Sequence, residues 1–276
     1  MVLLHLLAAR KDYELIPVYV DHGWRDTSAD WAVVQKAAQK LEVEPIHIEL
    51  KLNSQSEEEA RIERYKALRE QEGQYEAAGI ITGHHYDDII ETVIMNVIRG
   101  TGRHGLTPFS DSSIIRPLIQ VKRSEIEQYA KENGVDWVDD PTNEDTNYLR
   151  NRVRKIIIPK LSKQTSENIE KQIQEAEKLN SEIDQWLAHF IESGKHDKES
   201  ISLPLKEIKK QTPEVIQEIV VYTSRKLNPA AEFNRRPVEQ LAIDLKNDRI
   251  KMPRALSRQL FVSVSHGTFT IAFKAH

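Results

Sequence analysis

The densest set of reactive side chains in the sequence is Thr82-Gly83-His84-His85-Tyr86-Asp87-Asp88-Ile89-Ile90-Glu91-Thr92. Asp88 and Glu91 are three residues apart and Asp87 and Glu91 four, so on a helix these carboxylates share one face. Such a face can bind an ammonium, position a magnesium ion or take a proton. Acids in a first helical turn also complement the helix dipole, a structural use of the same residues. Taken alone, His84 and His85 would also suit a metal.

A second set is Arg99-Gly100-Thr101-Gly102-Arg103-His104-Gly105-Leu106. Glycines between arginines let a backbone approach phosphate closely while guanidinium groups hold it. A simple helix C-cap explains Gly100 equally well. The third set is Asp139-Asp140-Pro141-Thr142-Asn143 followed by Tyr148-Leu149-Arg150-Asn151-Arg152-Val153-Arg154-Lys155. From Tyr148 to Lys163 there are six basic residues (Arg150, Arg152, Arg154, Lys155, Lys160 and Lys163) and no acid. Helical spacing puts Arg150 and Arg154 on one face and Arg152 nearly opposite. Charge runs are usually solvated faces. This one has no compensating carboxylates, which suits phosphate.

The elements that must position these groups alternate. A helix over about Val2 to Lys11 leads to a strand over Leu15–Val20. Ser28 is expected to cap a helix reaching about Leu41, with a strand at Ile46–Ile48. Ser56-Glu57-Glu58-Glu59 reads as a capping box ahead of a helix to about Ala78. Ile80–Gly83 reads as a short buried strand, Asp87 to Ile98 as helix, Ile114–Ile115 as strand and Ser124 to Asn133 as helix, with Gly134 as its stop. Strands alternating with such helices predict an α/β fold with a parallel sheet covered by helices on both faces. The acidic cluster then opens a helix directly after a strand, at the carboxyl edge where open α/β sheets bind ligands. Beyond Pro159, apolar residues from Ile169 to Phe190 step by threes and fours and predict one long amphipathic helix. A helix from Pro213 to about Leu227 follows, then strands at Phe261–Val264 and Thr268–Phe273 around a turn at His266-Gly267.

Composition bounds the chemistry. The 276 residues carry a net charge of −4, which excludes a uniformly basic nucleic-acid coat and confines any RNA surface to a local patch. With no cysteine, thiolate metal sites, iron–sulfur clusters and thiol catalysis are excluded for this chain. No apolar run approaches the roughly 18 residues of a membrane span. The opening Met1–Arg10 lacks the basic start of a signal peptide, so a cytoplasmic location without membrane partners is expected.

In combination these motifs resemble the tRNA(Ile)-lysidine synthetase family of the PP-loop, or N-type ATP pyrophosphatase, superfamily. The matching features are Val20-Asp21-His22-Gly23-Trp24-Arg25, Glu59-Ala60-Arg61 with Arg64-Tyr65, and the Thr82 to Thr92 signature. Arg99-Gly100-Thr101-Gly102, Arg116-Pro117-Leu118, Asp140-Pro141-Thr142-Asn143 and Arg150-Asn151-Arg152 with Arg154 complete the series, which ends at Pro159-Lys160-Leu161. The resemblance covers about residues 1–161.

The resemblance implies ATP-dependent ligation of free L-lysine to the wobble cytidine of tRNA(Ile). ATP would adenylate the C2 oxygen, and lysine would then displace AMP. It implies Asp88 and Glu91 as catalytic, with Asp87, Asp88 and Glu91 as candidates for the lysine ammonium or magnesium and Asp88 as the metal candidate. Arg64, Arg99 and Arg152 are implied for ATP or other phosphate. Arg150, Arg152, Arg154, Lys155 and Lys160 are implied for tRNA. The implied layout is a catalytic domain over 1–160, a helical tRNA-binding domain over 161–245 and a partial β-containing segment over 246–276; a homodimer is compatible with it. The family's Ser-Gly-Gly-x-Asp-Ser loop precedes a helix resembling Met1–Leu7, so the expectation is a start codon placed downstream of that loop, with little activity from the chain as written. Two alternatives stay open, a non-catalytic tRNA-binding remnant and another PP-loop tRNA-modifying enzyme, although sulfur transfer of the cysteine-dependent kind is disfavoured.

Overall fold

The computed structural model describes residues 1–10, 12–54, 56–110, 113–138, 144–228, 235–250, 252–257 and 259–273. Asp139–Asn143, including the Asp-Pro-Thr-Asn motif, lies outside them. The chain divides into two compact units, Met1–Glu177 and Lys178–His276.

The first unit alternates helix and strand. Its elements are α1 (Val2–Ala8), β1 (Val18–Asp21), α2 (Ser28–Lys40), β2 (Ile46–Glu49), α3 (Glu57–Gln74), β3 (Ile80–Ile81), α4 (Tyr86–Arg99), β4 (Ile114–Ile115), α5 (Arg123–Glu132) and α6 (Leu149–Arg152). Strand pairing is parallel, as the alternation requires: β1 aligns Val18 with Ile46 and Asp21 with Glu49, and β3 aligns Ile80 with Ile114.

Local signals place most boundaries, with corrections at β1, α2 and α3. Strand β1 begins at Val18 rather than Leu15, after Pro17, whose carbonyl accepts from Ile46 N at 2.8 Å. Ser28 is the first helical residue of α2 and not its cap. Thr27 holds the cap position, and Asp26 receives the Ser28 amide (2.9 Å) and hydroxyl (2.6 Å). Ser56 does cap α3, accepting from Glu59 N at 3.4 Å. The reciprocal half of the box is replaced, because the Glu59 carboxylate turns outward to Asn53 N (2.8 Å) and to Ser54. Helix α3 then stops at Gln74, four residues short of expectation.

After α6 the backbone widens into one π-helical turn (Val153–Ile157) and a 3-10 turn (Ile158–Lys160). Wide turns of this kind frequently mark functional segments. Helix α7 (Lys163–Glu192) follows, and Ile169 and Ile173 from its first half pack with Ile90 and Val93 of α4.

The second unit contains β5 (Lys195–His196), β6 (Ser200–Pro204), α8 (Leu205–Lys210), α9 (Pro213–Leu227), α10 (Arg235–Lys246), β7 (Arg254–Ala255), β8 (Leu260–Ser265) and β9 (Thr268–Phe273). The strands form one antiparallel sheet in the order β5-β6-β9-β8-β7. Alternation along β9 buries Phe269 and Ile271 completely against Leu203, Ile216 and Ile219. Among the described residues no helix is long and apolar enough to cross a membrane.

Candidate active site

The site is assembled at the carboxyl ends of β1 and β3. At the end of β1, Asp21 accepts from Gly23 N at 2.7 Å and from the Thr27 hydroxyl. Burial pushes its pKa up, but these two bonds outweigh that and hold it below the ordinary carboxylate value. The bonds fold the chain back, so that the His22 and Trp24 rings, tilted by 35° with centroids 5.4 Å apart, line a cavity of about 440 Å³. Tyr19, Asp21, Thr27 and Trp137 line the same cavity. Its volume and mixed polarity are those of a small-ligand site.

At the end of β3, the backbone enters α4 through His84 and His85. Thr82 Oγ1 and His84 Nδ1 are 2.8 Å apart, and the His84 ring packs on Phe109 at 4.9 Å. Burial first, and the nearby Arg64, Arg61 and Arg116 next, lower the His84 pKa to about 4, so the imidazole is neutral. His85 behaves oppositely. Burial works against its charge, but Asp87, Asp88 and Glu91 outweigh burial and raise its pKa.

The three carboxylates of α4 have different surroundings. Asp87 accepts from Arg123 N at 2.7 Å, tying the start of α5 to α4. The adjacent His85 is the largest influence holding its pKa below the ordinary value. Asp88 accepts from His85 N at 3.0 Å and has Oδ1 3.9 Å from Arg154 Nη2. Glu91 is only 1% exposed. Arg154 grips it with Nε to Oε1 at 2.6 Å and Nη2 to Oε2 at 2.8 Å, while Arg150 Nε lies 3.7 Å from Oε2. Two parallel N–H···O bonds between charged groups are the strong form of this contact.

A cationic wall faces this acidic one. Arg61 and Arg64 come from α3 and Arg150 from α6. Arg64 is half-buried, forms no ion pair with a carboxylate among the described residues, and has its pKa lowered by burial and by Arg61 and Arg150. Around it, His22 Nδ1, Tyr65 Oη and Arg150 Nε are buried without hydrogen-bond partners among the described residues. Buried polar groups are normally satisfied. Unpaired polar atoms beside Arg64, whose guanidinium has no carboxylate partner among the described residues, suit an anion seat, and a polyphosphate supplies the acceptors they lack.

The expected residues therefore separate. Asp88, Glu91, Arg64, Arg150 and Arg154 converge. Arg152 points to solvent, as helical spacing implied, and Lys160 is exposed. Lys155 is paired with Glu144. Arg99 is exposed at the far end of α4, eight residues or about 12 Å from Glu91. The glycine-rich loop after it folds back on α4: Asn96 Nδ2 donates to Gly105 O at 2.8 Å, and a Cβ on Gly105 would meet Thr101 Oγ1 at 1.8 Å. Gly100 ends α4 with a positive φ of 74°. No group of three or more His, Cys, Asp or Glu side chains able to hold a metal occurs among the described residues. His22, Trp24, Arg61, Tyr65 and Trp137 join the site without having been singled out for it. The first four sit in quoted motifs, whereas Trp137 has no local signal.

The PP-loop domain profile matches residues 1–161. The tRNA(Ile)-lysidine synthase of Vibrio vulnificus strain YJ016 is 38% identical over 177 residues, covering 58% of this chain and 40% of that protein. The Thermosipho africanus protein of the same name is 40% identical over 171 residues, with coverage of 57% and 40%. The Pseudomonas aeruginosa one is 34% identical over 176 residues, with coverage of 58% and 39%. The chain thus spans about 40% of the length of these curated relatives. Among solved structures, the U34-tRNA thiolase NcsA from Methanococcus maripaludis with its 4Fe-4S cluster aligns at a TM-score of 0.54 and 19% identity, covering 64% of this chain and 67% of that one. At that identity the likeness is one of fold. The strand–helix edge, its opposed charged walls and a profile match over more than half the chain agree, and the chain belongs to the PP-loop family.

Proposed function

We propose that the chain is the catalytic part of an ATP-dependent ligase that joins L-lysine to C2 of the wobble cytidine of tRNA(Ile), releasing AMP and pyrophosphate. One observation carries the reading: two guanidinium groups without a carboxylate partner among the described residues (Arg61 and Arg64), together with the unpartnered buried His22 Nδ1 and Tyr65 Oη, lie near an acidic helix start (Asp88, Glu91). A polyphosphate and an ammonium are the two substrates such groups sort. The identity to proteins named tRNA(Ile)-lysidine synthase supports the choice.

In this reading the cytidine O2 attacks the α-phosphorus of ATP as the bond to pyrophosphate breaks, and Arg64 stabilises the charge that develops on the leaving group. The lysine amine then attacks C2, the C2–O bond to AMP breaks, and the amine proton is lost. Asp88, still partly open to solvent, holds the ammonium and is placed to take that proton. The His22–Trp24 cavity receives the nucleotide base and sugar. A magnesium ion would be held by Asp88 and the phosphates, since magnesium usually keeps few protein ligands. Arg152 and Lys160 face the RNA backbone, with residues 161–245 extending that grip. The cysteine-dependent sulfur chemistry of a cluster-bearing thiolase has no ligands here, because the chain has no cysteine.

The test is incubation with ATP, L-lysine and a tRNA(Ile) transcript, followed by digestion and mass spectrometry of the wobble nucleoside. The same assay is run on the product of the reading frame extended upstream of Met1. Lysidine from either protein upholds the proposal. RNA binding by both, with no pyrophosphate and no modified nucleoside, would favour a binding module.

A further inference from the structure

The acidic pocket is already neutralised from within. Asp87, Asp88 and Glu91 bring three negative charges. Arg154 and Arg150 bring two positive ones directly to Glu91, and His85 lies 3.6 Å from both Asp87 and Asp88. Both oxygens of Glu91 are taken by Arg154, so an incoming ammonium finds that carboxylate occupied by a guanidinium. Arg154 belongs to the basic run in which Arg152, Lys160 and Lys163 are exposed, and its own side chain is 23% exposed. It therefore sits between two anions: the buried carboxylate it now holds and any phosphate that approaches the run. The backbone at this point is irregular. Arg152 ends an α turn and the π turn begins at Val153. Shifting such a one-residue widening along a helix re-aims the intervening side chains by about 100°.

We propose that Arg154 is an exchangeable counter-ion: a phosphate oxyanion takes the guanidinium from Glu91, and the freed carboxylate then accepts the substrate ammonium. The phosphate comes from the RNA backbone or from the nucleotide polyphosphate, which present the same chemistry to a guanidinium. Arg154 is thus a positioning residue that makes cation binding conditional on anion binding, and by linkage each ligand strengthens the other. The consequence is ordered loading, with the amine admitted only to a complex that already holds its phosphate partner. The ammonium as the cation rests on the function proposed above; the exchange itself does not.

The 276-residue protein, labelled with nitrogen-15 at arginine Nε, allows the pair to be followed directly by nuclear magnetic resonance. The Arg154 signal, identified by its loss in Arg154→Lys, should be protected from solvent exchange in the free protein. Tripolyphosphate or an anticodon stem-loop RNA should move it to the position it has in Glu91→Gln, where the pair is gone. Movement with RNA alone assigns the source to the RNA backbone, and movement with tripolyphosphate assigns it to the nucleotide. A signal unmoved by saturating amounts of both overturns the exchange.

Equilibrium dialysis with labelled L-lysine supplies the second readout. Wild type should bind lysine about tenfold more tightly when the effective phosphate probe is saturating, within the usual range of coupling between sites. Arg154→Met should bind lysine about tenfold more tightly than wild type without any probe, and gain less than twofold from it. Arg154→Lys, which keeps the charge, should retain most of the coupling and covers the case in which the methionine variant fails to fold. Equal coupling in wild type and Arg154→Met overturns the role of Arg154. A moving Arg154 signal with no lysine binding under any condition upholds the exchange and overturns the lysine reading.

Discussion

The units Met1–Glu177 and Lys178–His276 reach stability by different routes. The second buries a continuous apolar cluster from α7, the sheet and helices α8 to α10, with Leu203, Ile208, Phe269 and Ile271 fully enclosed. In the first unit, the cluster around α4 has, among the described residues, Ile90, Val93 and Ile173 as its buried members. Its enclosed groups include Glu91, Asp21, Asn151 and Thr107. Burying charge is costly unless it is paired, so the stability of the first unit depends on the pairing of Glu91 with Arg154 and of Asp21 with Gly23 and Thr27. The second unit also encloses Asn180, Thr223, Ser224 and Asp244, the last bonded by Arg254, but alongside a much larger apolar cluster.

Substitutions should break the two units differently. Phe269→Ala should remove about 3–5 kcal/mol by leaving a cavity in the apolar cluster. Nucleotide affinity, measured by calorimetry below the melting transition, should stay within twofold of wild type. A tenfold loss of affinity would show that the units are not separable in this sense. Glu91→Gln should cost about 3 kcal/mol, because Arg154 loses its carboxylate, and should abolish lysidine formation in the same step. Normal turnover with lowered stability would return Glu91 to a purely structural role.

The paired histidines sharpen the same contrast through pH. His84 has its pKa lowered to about 4, so between that value and its ordinary one the unfolded chain binds the extra proton. Its contribution is full above the unfolded pKa and is lost as pH falls, with a slope of at most about 1.4 kcal/mol per pH unit. His85 has a raised pKa, so its contribution is full below the unfolded pKa and fades as pH rises through the folded one. Urea titrations from pH 4 to 8 should show His84→Gln removing the acid-side loss and His85→Gln the alkaline-side loss. Identical profiles for the two variants would contradict both surroundings.

Two smaller effects complete the series. Thr212, whose hydroxyl accepts from Val215 N at 3.5 Å, caps α9. Thr212→Ala should cost about 1 kcal/mol in thermal unfolding and leave RNA affinity unchanged. Arg152→Ala should barely change stability, yet lower the salt slope of tRNA binding by about 0.7–0.9, one phosphate contact. Lys155→Ala should lower it less, since Lys155 is paired with Glu144. An unchanged slope in both would move the RNA surface elsewhere.

How far local signals reach is clearest in particular elements. Helix α9 runs from Pro213 to Leu227 as expected, because a threonine cap, a first-turn proline and apolar spacing all lie within it. Strands β8 and β9 were legible from alternation around a two-residue turn. Strands β5 and β6 were not, because β6 pairs with β9 about 70 residues later, Ile201 opposite Ile271. Helices α8 and α10 were missed as well. The first is one short stretch of six residues, and the second earns its place only by packing Leu241 and Leu245 on the distant cluster. Trp137 reaches the cavity from the chain after α5, and nothing near it in sequence announces that.

By itself the sequence determined the strand–helix alternation, the parallel class, the placing of Asp88 and Glu91 on one helix face and the split of Arg150 and Arg154 from Arg152. Each of these follows from spacing within a few residues, where helical and strand periods act. Only the tertiary structure decided that Arg154 closes on Glu91, 63 positions away, instead of facing solvent with Arg152. It alone left Arg64 without a carboxylate partner among the described residues and set Arg99 at the far end of α4 from Glu91. Charge partners are set by which elements meet at the sheet edge, and that depends on burial of the whole unit rather than on neighbouring residues.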